Sequence, residues 1–379
     1  MNPDRHLHIV CLDVPYPADY GGACEMYHKV VALSQAGVAV TLHCYDYGRG
    51  RQPELDRWCR AVHYYPRNEG HKGLSLKLPY IVASRSSPAL AERLAADDDP
   101  VLFEGIHTTH PLHTGLLAGR RCFVRLHNLE HEYYAMLSRQ AGFGVRRFLY
   151  ALEGGLLRPY ERGLAGRAVF LTLTEGEADR FRAFAPGVDA RHLPAFTGRG
   201  RVSCQAGEGT FCLYHGNLSV PENEQAARWL LKEVFGRIEL PFVVAGKRPS
   251  AALKRLAHSR PHTCMVEDPS ARELDDLVRR AQVHVLPSFS ETGVKFKLLN
   301  AVFAGRHVVA DARMVRGTGL DTACRVTGGG EGFRREVSVL FRTRFCEGDV
   351  AGREALLARR YSDAGHAERL ISWIWSHGR

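Results

Sequence analysis

Four short segments of this 379-residue chain combine residue types that bind phosphate or move protons. The segment Pro287-Ser288-Phe289-Ser290-Glu291-Thr292-Gly293-Val294-Lys295-Phe296-Lys297 follows an apolar run and leads into a helical stretch. Glycine lets backbone N–H groups approach an anion, and a helix N-terminus favours negative charge. A lysine about 4 Å from a phosphate charge contributes ~4 kcal/mol at an effective dielectric of about 20. The helix end adds only ~0.3–2 kcal/mol. The lysine therefore dominates, and Lys295, nearest the turn, is the first candidate. Lys297 points to another side of the helix and reads as an ordinary solvated lysine. Gly21-Gly22 offers a second close backbone approach, although it is not the Gly-x-Gly-x-x-Gly dinucleotide pattern. Glu104 and His107 lie just past Val101–Phe103, and His127 to Glu132 lie just past Cys122–Leu126. A histidine at a strand end can exchange protons near neutral pH, and His127 is the candidate. His127 and His131 are four residues apart, but Glu130 directly precedes the second histidine. That order is not His-Glu-x-x-His, so no metal site is expected.

These residues need elements to hold them at strand ends. Short apolar runs bounded by turn residues alternate with helical stretches: His8–Leu12, Val38–Leu42, Val101–Phe103, Cys122–Leu126 and Val169–Leu173. Strands alternating with helices predict a parallel sheet covered on both faces. Glycine-rich sequence near residues 195–210 then interrupts the pattern and reads as a linker. The alternation restarts with Phe211–Tyr214, a helix Glu222–Phe235, strands Phe242–Ala245 and Val283–Leu286, a helix from Lys295 to Phe303, and strand His307–Ala310. Two consecutive doubly wound α/β domains are expected, 1–197 and 210–360, followed by a C-terminal helix in 361–379 that docks across the domains. In such sheets ligands bind beyond the carboxyl ends of the strands.

Composition bounds the function. Hydrophobic residues make up 45% and charged residues 24%, which excludes disorder and a small disulfide scaffold. No apolar run approaches the ~18–20 residues needed to span a bilayer. The first residues read as no signal peptide. The ten cysteines are scattered with no Cys-x-x-Cys pair, which fits reduced thiols in a cytoplasmic protein. The net charge of +10 favours a polyanionic partner. No zinc finger, aromatic-basic RNA motif or basic tail is present, so nucleic acid is not the expected partner. Arg146, Arg147 and Arg158 to Arg167 accompany Phe148, Leu149, Leu152, Leu156 and Leu157 in a stretch amphipathic enough to touch an anionic membrane.

The combined pattern resembles GT-B fold retaining glycosyltransferases of the family 4 type, over nearly the whole chain. The resemblance rests on the Gly21-Gly22 loop, His127, Tyr214-His215-Gly216-Asn217-Leu218-Ser219, Val244-Ala245-Gly246-Lys247, and Leu286-Pro287-Ser288 through Asn300-Ala301-Val302-Phe303-Ala304-Gly305. The segment from His127 to Tyr134, with Gly293 to Asn300, is similar to a bacterial subgroup labelled mannosyltransferases. In the family the last segment carries two glutamates separated by seven residues. Here Asn300 stands at the second, and either Glu291 or Thr292 at the first.

The resemblance implies two Rossmann-like domains facing a cleft and transfer of a sugar from a GDP- or UDP-sugar to the hydroxyl of a glycan or lipid-linked acceptor. It implies retention of configuration and no cofactor or metal ion. It places His127 and Glu291 by the reacting sugar and Lys295 on the leaving diphosphate. Gly21, Gly22, Gly216, Asn217, Lys247, Thr292, Gly293 and Val294 would line the donor, and Asn300 would hold its ribose. The expected location is cytoplasmic, peripheral at the membrane face. A nucleotide-sugar epimerase or hydrolase on the same architecture is the competing expectation.

Overall fold

The computed structural model describes residues 5–289 and 294–375. The chain forms two compact units, Met1–Gly198 with Asp363–Arg379, and Arg199–Ser362. Seven strands build the first sheet: β1 His6–Cys11, β2 Ala39–Asp46, β3 Ala61–Pro66, β4 Val101–Glu104, β5 Cys122–Leu126, β6 Val169–Thr172 and β7 Asp189–His192. Their spatial order is β3-β2-β1-β4-β5-β6-β7, and every pair is parallel. The order reverses between β1 and β4, which makes a switch point where strand ends splay open to a ligand.

Alternation along β1 explains the two cores. Leu7, Ile9 and Cys11 join Leu42, Phe123, Leu171, Met26 and Leu33 on one face, while Val10 joins Phe103, Val124, Phe170 and Phe181 on the other. The C-terminal helix Asp363–Trp375 belongs to the first unit. Its Ala367, Leu370, Ile371 and Ile374 complete the core beneath the helix Gly21–Gln35. Asp363 accepts hydrogen bonds from Thr197 N at 2.9 Å and Gly198 N at 2.7 Å. Burial nevertheless pushes its carboxyl up to about 6, with the Glu25 charge acting in the same direction.

The second sheet has six strands: β8 Cys212–Asn217, β9 Phe242–Lys247, β10 Thr263–Glu267, β11 Val283–Leu286, β12 His307–Ala310 and β13 Arg325–Val326. It is also parallel, ordered β10-β9-β8-β11-β12-β13, with its switch point between β8 and β11. Phe235 and Phe242 stack with ring centroids 3.8 Å apart on one side of it. The helix expected from Glu222 to Phe235 is observed as Pro221–Trp229, continued by a π turn over Leu230–Val234. β3, β7, β10 and β13 are strands that the apolar pattern does not reveal. They flank the sheets, and sequences such as Asp189-Ala190-Arg191-His192 carry polar residues to the solvent side. Val266 and Glu267 end the edge strand β10, and Asp268 follows it.

Candidate functional site

At the carboxyl end of the first sheet, five ionisable side chains from three elements converge. The helix Gly21–Gln35 supplies Glu25 and Lys29, one turn apart. β4 ends in Glu104, β5 supplies Arg125, and His127 follows β5 directly. Lys29 Nζ donates to Glu25 at 2.9 Å and to Glu104 at 2.6 Å. Arg125 pairs with Glu25 at 2.9 Å and donates to the Leu193 carbonyl at 2.6 Å. His127 Nε2 donates to the second Glu104 oxygen at 3.1 Å. Glu25, Lys29, Glu104 and Arg125 are essentially without solvent exposure. Burial acts to raise the Glu104 pKa, but the Lys29 charge and the His127 and Lys29 hydrogen bonds overcome it, holding the carboxyl down at about 2. Two cations and two carboxylates balance, so the network is neutral before His127 is counted.

Glu25, Glu104 and His127 bring their ligating atoms close together. Lys29 and Arg125 already occupy the carboxylates, so this trio is an ion-pair network and does not fit a cation. His131 turns away from His127 and pairs with buried Glu161. Glu130 is buried beside Glu161. Burial and that like charge push its carboxyl up to about 8.

Gly21 and Gly22 open the helix Gly21–Gln35 beyond β1. A Cβ on Gly22 would stand 3.0 Å from the Tyr20 ring, which is tight. Tyr20 donates to Asp13 at 3.1 Å, and Arg49 pairs with Asp13 at 3.3 Å and with Asp19. Arg49 therefore places a cation at this helix N-terminus, and the sequence reading did not single it out.

In the second unit, β8 and β9 lie in register with Gly216 opposite Gly246 and Asn217 opposite Lys247. A Cβ on Gly246 would sit 2.0 Å from the Gly216 carbonyl oxygen, so glycine is required there. Asn217 Oδ1 accepts from Ser219 N at 3.1 Å and from Ser219 Oγ at 2.8 Å, shaping the turn after β8. The helix Phe296–Ala304 begins after Lys295 and runs beside this turn.

The two lysines differ from expectation. Lys295 is the half-buried N-cap residue; Lys297 is half-buried as well, but its ammonium is turned inward onto hydrogen-bond partners. Lys297 Nζ donates to Tyr214 Oη at 2.9 Å and to Asn223 Oδ1 at 2.6 Å, and stands 3.2 Å from where a Cβ on Gly216 would be. Burial, followed by the Lys295 charge, pulls its pKa down to about 7 against the opposing charge of Glu222. Lys297 is therefore not a solvated lysine. It sits at the carboxyl end of β8, at the sheet's switch point. Asn300 Oδ1 accepts from Arg199 Nε at 3.2 Å. Val294 is half-buried just before the helix. Glu291, Thr292 and Gly293 lie outside the described residues.

His215, in β8, is fully buried with neither ring nitrogen hydrogen-bonded. Burial holds it neutral, with the charges of His284 and Lys297 acting in the same direction. Among the described residues, no helix is long and apolar enough to cross a membrane. The helix Val145–Gly163 buries Leu157 and Tyr160, but leaves Phe148, Leu149 and Leu152 exposed beside Phe143 and Val145.

Comparison with known proteins is consistent with this arrangement. Residues 209–323, which hold Gly216, Lys247, Lys297 and Asn300, match the family described as glycosyl transferases group 1. A Klebsiella pneumoniae protein described as an uncharacterized 44.6 kDa protein in the cps region is 23% identical over 333 residues, covering 82% of this chain and 84% of its own. The crystal structure of TarM superposes with a TM-score of 0.70 at 9% identity, covering 98% of this chain and 99% of that one. The structure of WaaG, a glycosyltransferase involved in lipopolysaccharide biosynthesis, superposes with a TM-score of 0.66 at 13% identity, covering 98% and 100%. Residues 209–323 are thus similar to the glycosyl transferases group 1 family, and the whole chain shares the GT-B fold of these solved structures.

Proposed function

We propose that this protein transfers a sugar from a nucleoside-diphosphate-sugar, GDP- or UDP-linked, to an acceptor hydroxyl with retention of configuration. The observation that carries the reading is the inward-turned Lys297 ammonium beside Gly216 at the switch point of the second sheet, inside the segment that matches the family. Among the described residues, the hydrogen-bond partners of this lysine are the neutral Tyr214 and Asn223, with no carboxylate to neutralise it. A diphosphate would supply that charge.

In this reading the second unit binds the donor. Lys297 and Lys295, the turn Gly216-Asn217 and Lys247 face the diphosphate, and Asn300 faces the ribose. The bond between the anomeric carbon and the diphosphate oxygen breaks with its electron pair on the diphosphate. The acceptor oxygen bonds to the same carbon, and its proton leaves with the nucleoside diphosphate. Fixed cations that meet charge as it develops on the leaving group lower the barrier without reorganising. The first unit supplies His127, held by Glu104, and the Gly21-Gly22 helix end with Arg49.

The exposed Phe143, Val145, Phe148, Leu149 and Leu152 lie next to Arg146 and Arg147. They favour a lipid-linked acceptor reached at an anionic membrane surface, and WaaG, with the same fold, acts in lipopolysaccharide biosynthesis. Flotation with anionic vesicles, weakened by Phe148→Ser with Leu149→Ser, tests this part. Equal flotation with neutral vesicles would remove it.

The test of the reaction is release of nucleoside diphosphate from GDP- and UDP-sugars, with and without lipid-linked or glycan acceptors. Release that depends on acceptor, with a new glycoside formed, supports transfer. Donor consumption without acceptor would instead indicate an epimerase or hydrolase.

A further inference from the structure

At the opposite, N-terminal end of the first sheet, two pairs of side chains meet across neighbouring strands. His6 and His8 alternate with Leu7 along β1 and so share one face. Asp97 and Asp99 show the same spacing just before β4. β1 and β4 pair in parallel with His8 opposite Val101, and His8 N donates to the Pro100 carbonyl at 3.0 Å. That register carries the two aspartates alongside the two histidines. Asp99 bonds His6 Nδ1, and Asp97 takes a hydrogen bond from His8 Nε2 at 3.0 Å. The four ligating atoms lie within 4.8 Å of one another.

The surroundings hold each ring by its other nitrogen. His6 Nε2 lies 2.7 Å from Thr41 Oγ1. His8 Nδ1 lies 2.9 Å from His43 Nε2, and His43 Nδ1 lies 2.9 Å from Tyr65 Oη. Arg120 takes Asp97 Oδ1 at 2.6 Å, leaving Oδ2 on the histidine side. His8 and His43 are buried, while Asp97 and Asp99 reach the surface, so the cluster is open on one side. Metal-binding histidines are characteristically fixed in this way, with the remote nitrogen donating to a neighbour.

We propose that His6, His8, Asp97 and Asp99 form a binding site for one divalent cation of the zinc class. Two imidazole nitrogens and two carboxylate oxygens suit zinc, and are too rich in nitrogen for magnesium or calcium. Entry of the cation needs no net loss of protons from the rings. On His8 the proton shifts from Nε2 to Nδ1 and is donated to His43 Nε2. On His43 it shifts from Nε2 to Nδ1 and is donated to Tyr65 Oη. On His6 it moves to Nε2 and is donated to Thr41 Oγ1. The two carboxylates supply two negative charges to the cation, and Arg120, already paired with Asp97, leaves the occupied cluster with one net positive charge at its solvent-open side. The cation ties β1 to the segment entering β4, the two strands that form the switch point. It lies at the sheet end opposite His127, so its role is structural and separate from sugar transfer.

The experiment uses full-length protein stripped with chelator and titrated with zinc chloride alone, then with cobalt chloride. One tightly bound equivalent is expected, with a rise in the thermal midpoint. The cobalt form should show visible bands of nitrogen and oxygen ligation without the near-ultraviolet charge-transfer band of a thiolate. Asp97→Asn with Asp99→Asn should abolish that equivalent. Thr41→Val, which keeps the fold but removes the partner of His6, should weaken binding by about 10–100-fold. No stoichiometric binding to the wild-type protein, undiminished binding to the Asp97→Asn, Asp99→Asn variant, or a thiolate spectrum would overturn the proposal.

Discussion

Glu104 is shared by His127 and Lys29: one carboxylate oxygen accepts from His127 Nε2 at 3.1 Å and the other from Lys29 Nζ at 2.6 Å. The first bond orients a ring that lies at a strand end. The second keeps the carboxylate ionised without solvent. A positioned histidine and a buried ion pair are therefore one construction.

Removing either member has different consequences. Glu104→Gln leaves Lys29 and Arg125 facing Glu25 alone, an uncompensated buried charge. The expected loss is about 3–5 kcal/mol of stability, read by urea denaturation. His127→Ala leaves the balanced ion pairs in place. Its thermal midpoint should stay close to wild type while turnover falls by about a hundredfold, the scale for loss of one transition-state contact.

The lysines separate binding from the leaving-group effect. Lys297→Met removes the inward-turned cation and fills most of its volume. Nucleoside diphosphate affinity should fall by about a thousandfold, equivalent to ~4 kcal/mol of charge attraction. Lys295→Ala, at the more exposed position, should reduce kcat by about a hundredfold or more. Equilibrium titration with steady-state kinetics checks both. Near-normal turnover in Lys295→Ala would show that this lysine does not meet the leaving group.

The low pKa of Lys297 has a sign that can be checked. Folding lowers it from 10.5 to about 7, so between those values the unfolded chain binds the extra proton. Stability from this group should rise as pH increases from about 7 to 10.5, and the full cost should be present below 7. Binding of a diphosphate restores the charge, so complex formation near pH 8 should take up a proton. Calorimetry in buffers of different ionisation enthalpy measures that uptake, and Lys297→Met should abolish it.

The two facing glycines predict opposite outcomes. Gly246→Ala would drive a methyl group to 2.0 Å from the Gly216 backbone and should prevent the second unit from folding. Gly216→Ala meets Lys297 Nζ at 3.2 Å, the mobile end of a side chain. That variant should fold, with near-normal circular dichroism, but bind nucleoside diphosphate more weakly.

Much of the architecture was legible because central parallel strands are continuous apolar runs. Cys122–Leu126, Val283–Leu286 and His307–Ala310 are observed with the boundaries their sequences indicate. Asp189–His192 was not legible, since an edge strand exposes polar residues and its pairing with β6 comes from the rest of the chain. His127 could be placed at a strand end, but its partner Glu104 lies 23 residues away and Lys29 lies 75 residues from Glu104. Local spacing carries no sign of such pairs. Lys297 was misjudged for a similar reason: helical periodicity tells which face a lysine occupies, not that Tyr214 and Asn223 cover that face.

The central claim is that the second unit holds a nucleoside diphosphate on Lys297. The most direct measurement is a metal-free thermal shift with GDP and UDP on wild-type protein and on Lys297→Met. At a hundred times its Kd a ligand adds ~2.7 kcal/mol to stability, a clear rise in Tm. A rise with one of the two nucleotides, absent in the variant, is the expected result. Folded wild-type protein that shifts with neither nucleotide, or a variant that shifts equally, would contradict the claim.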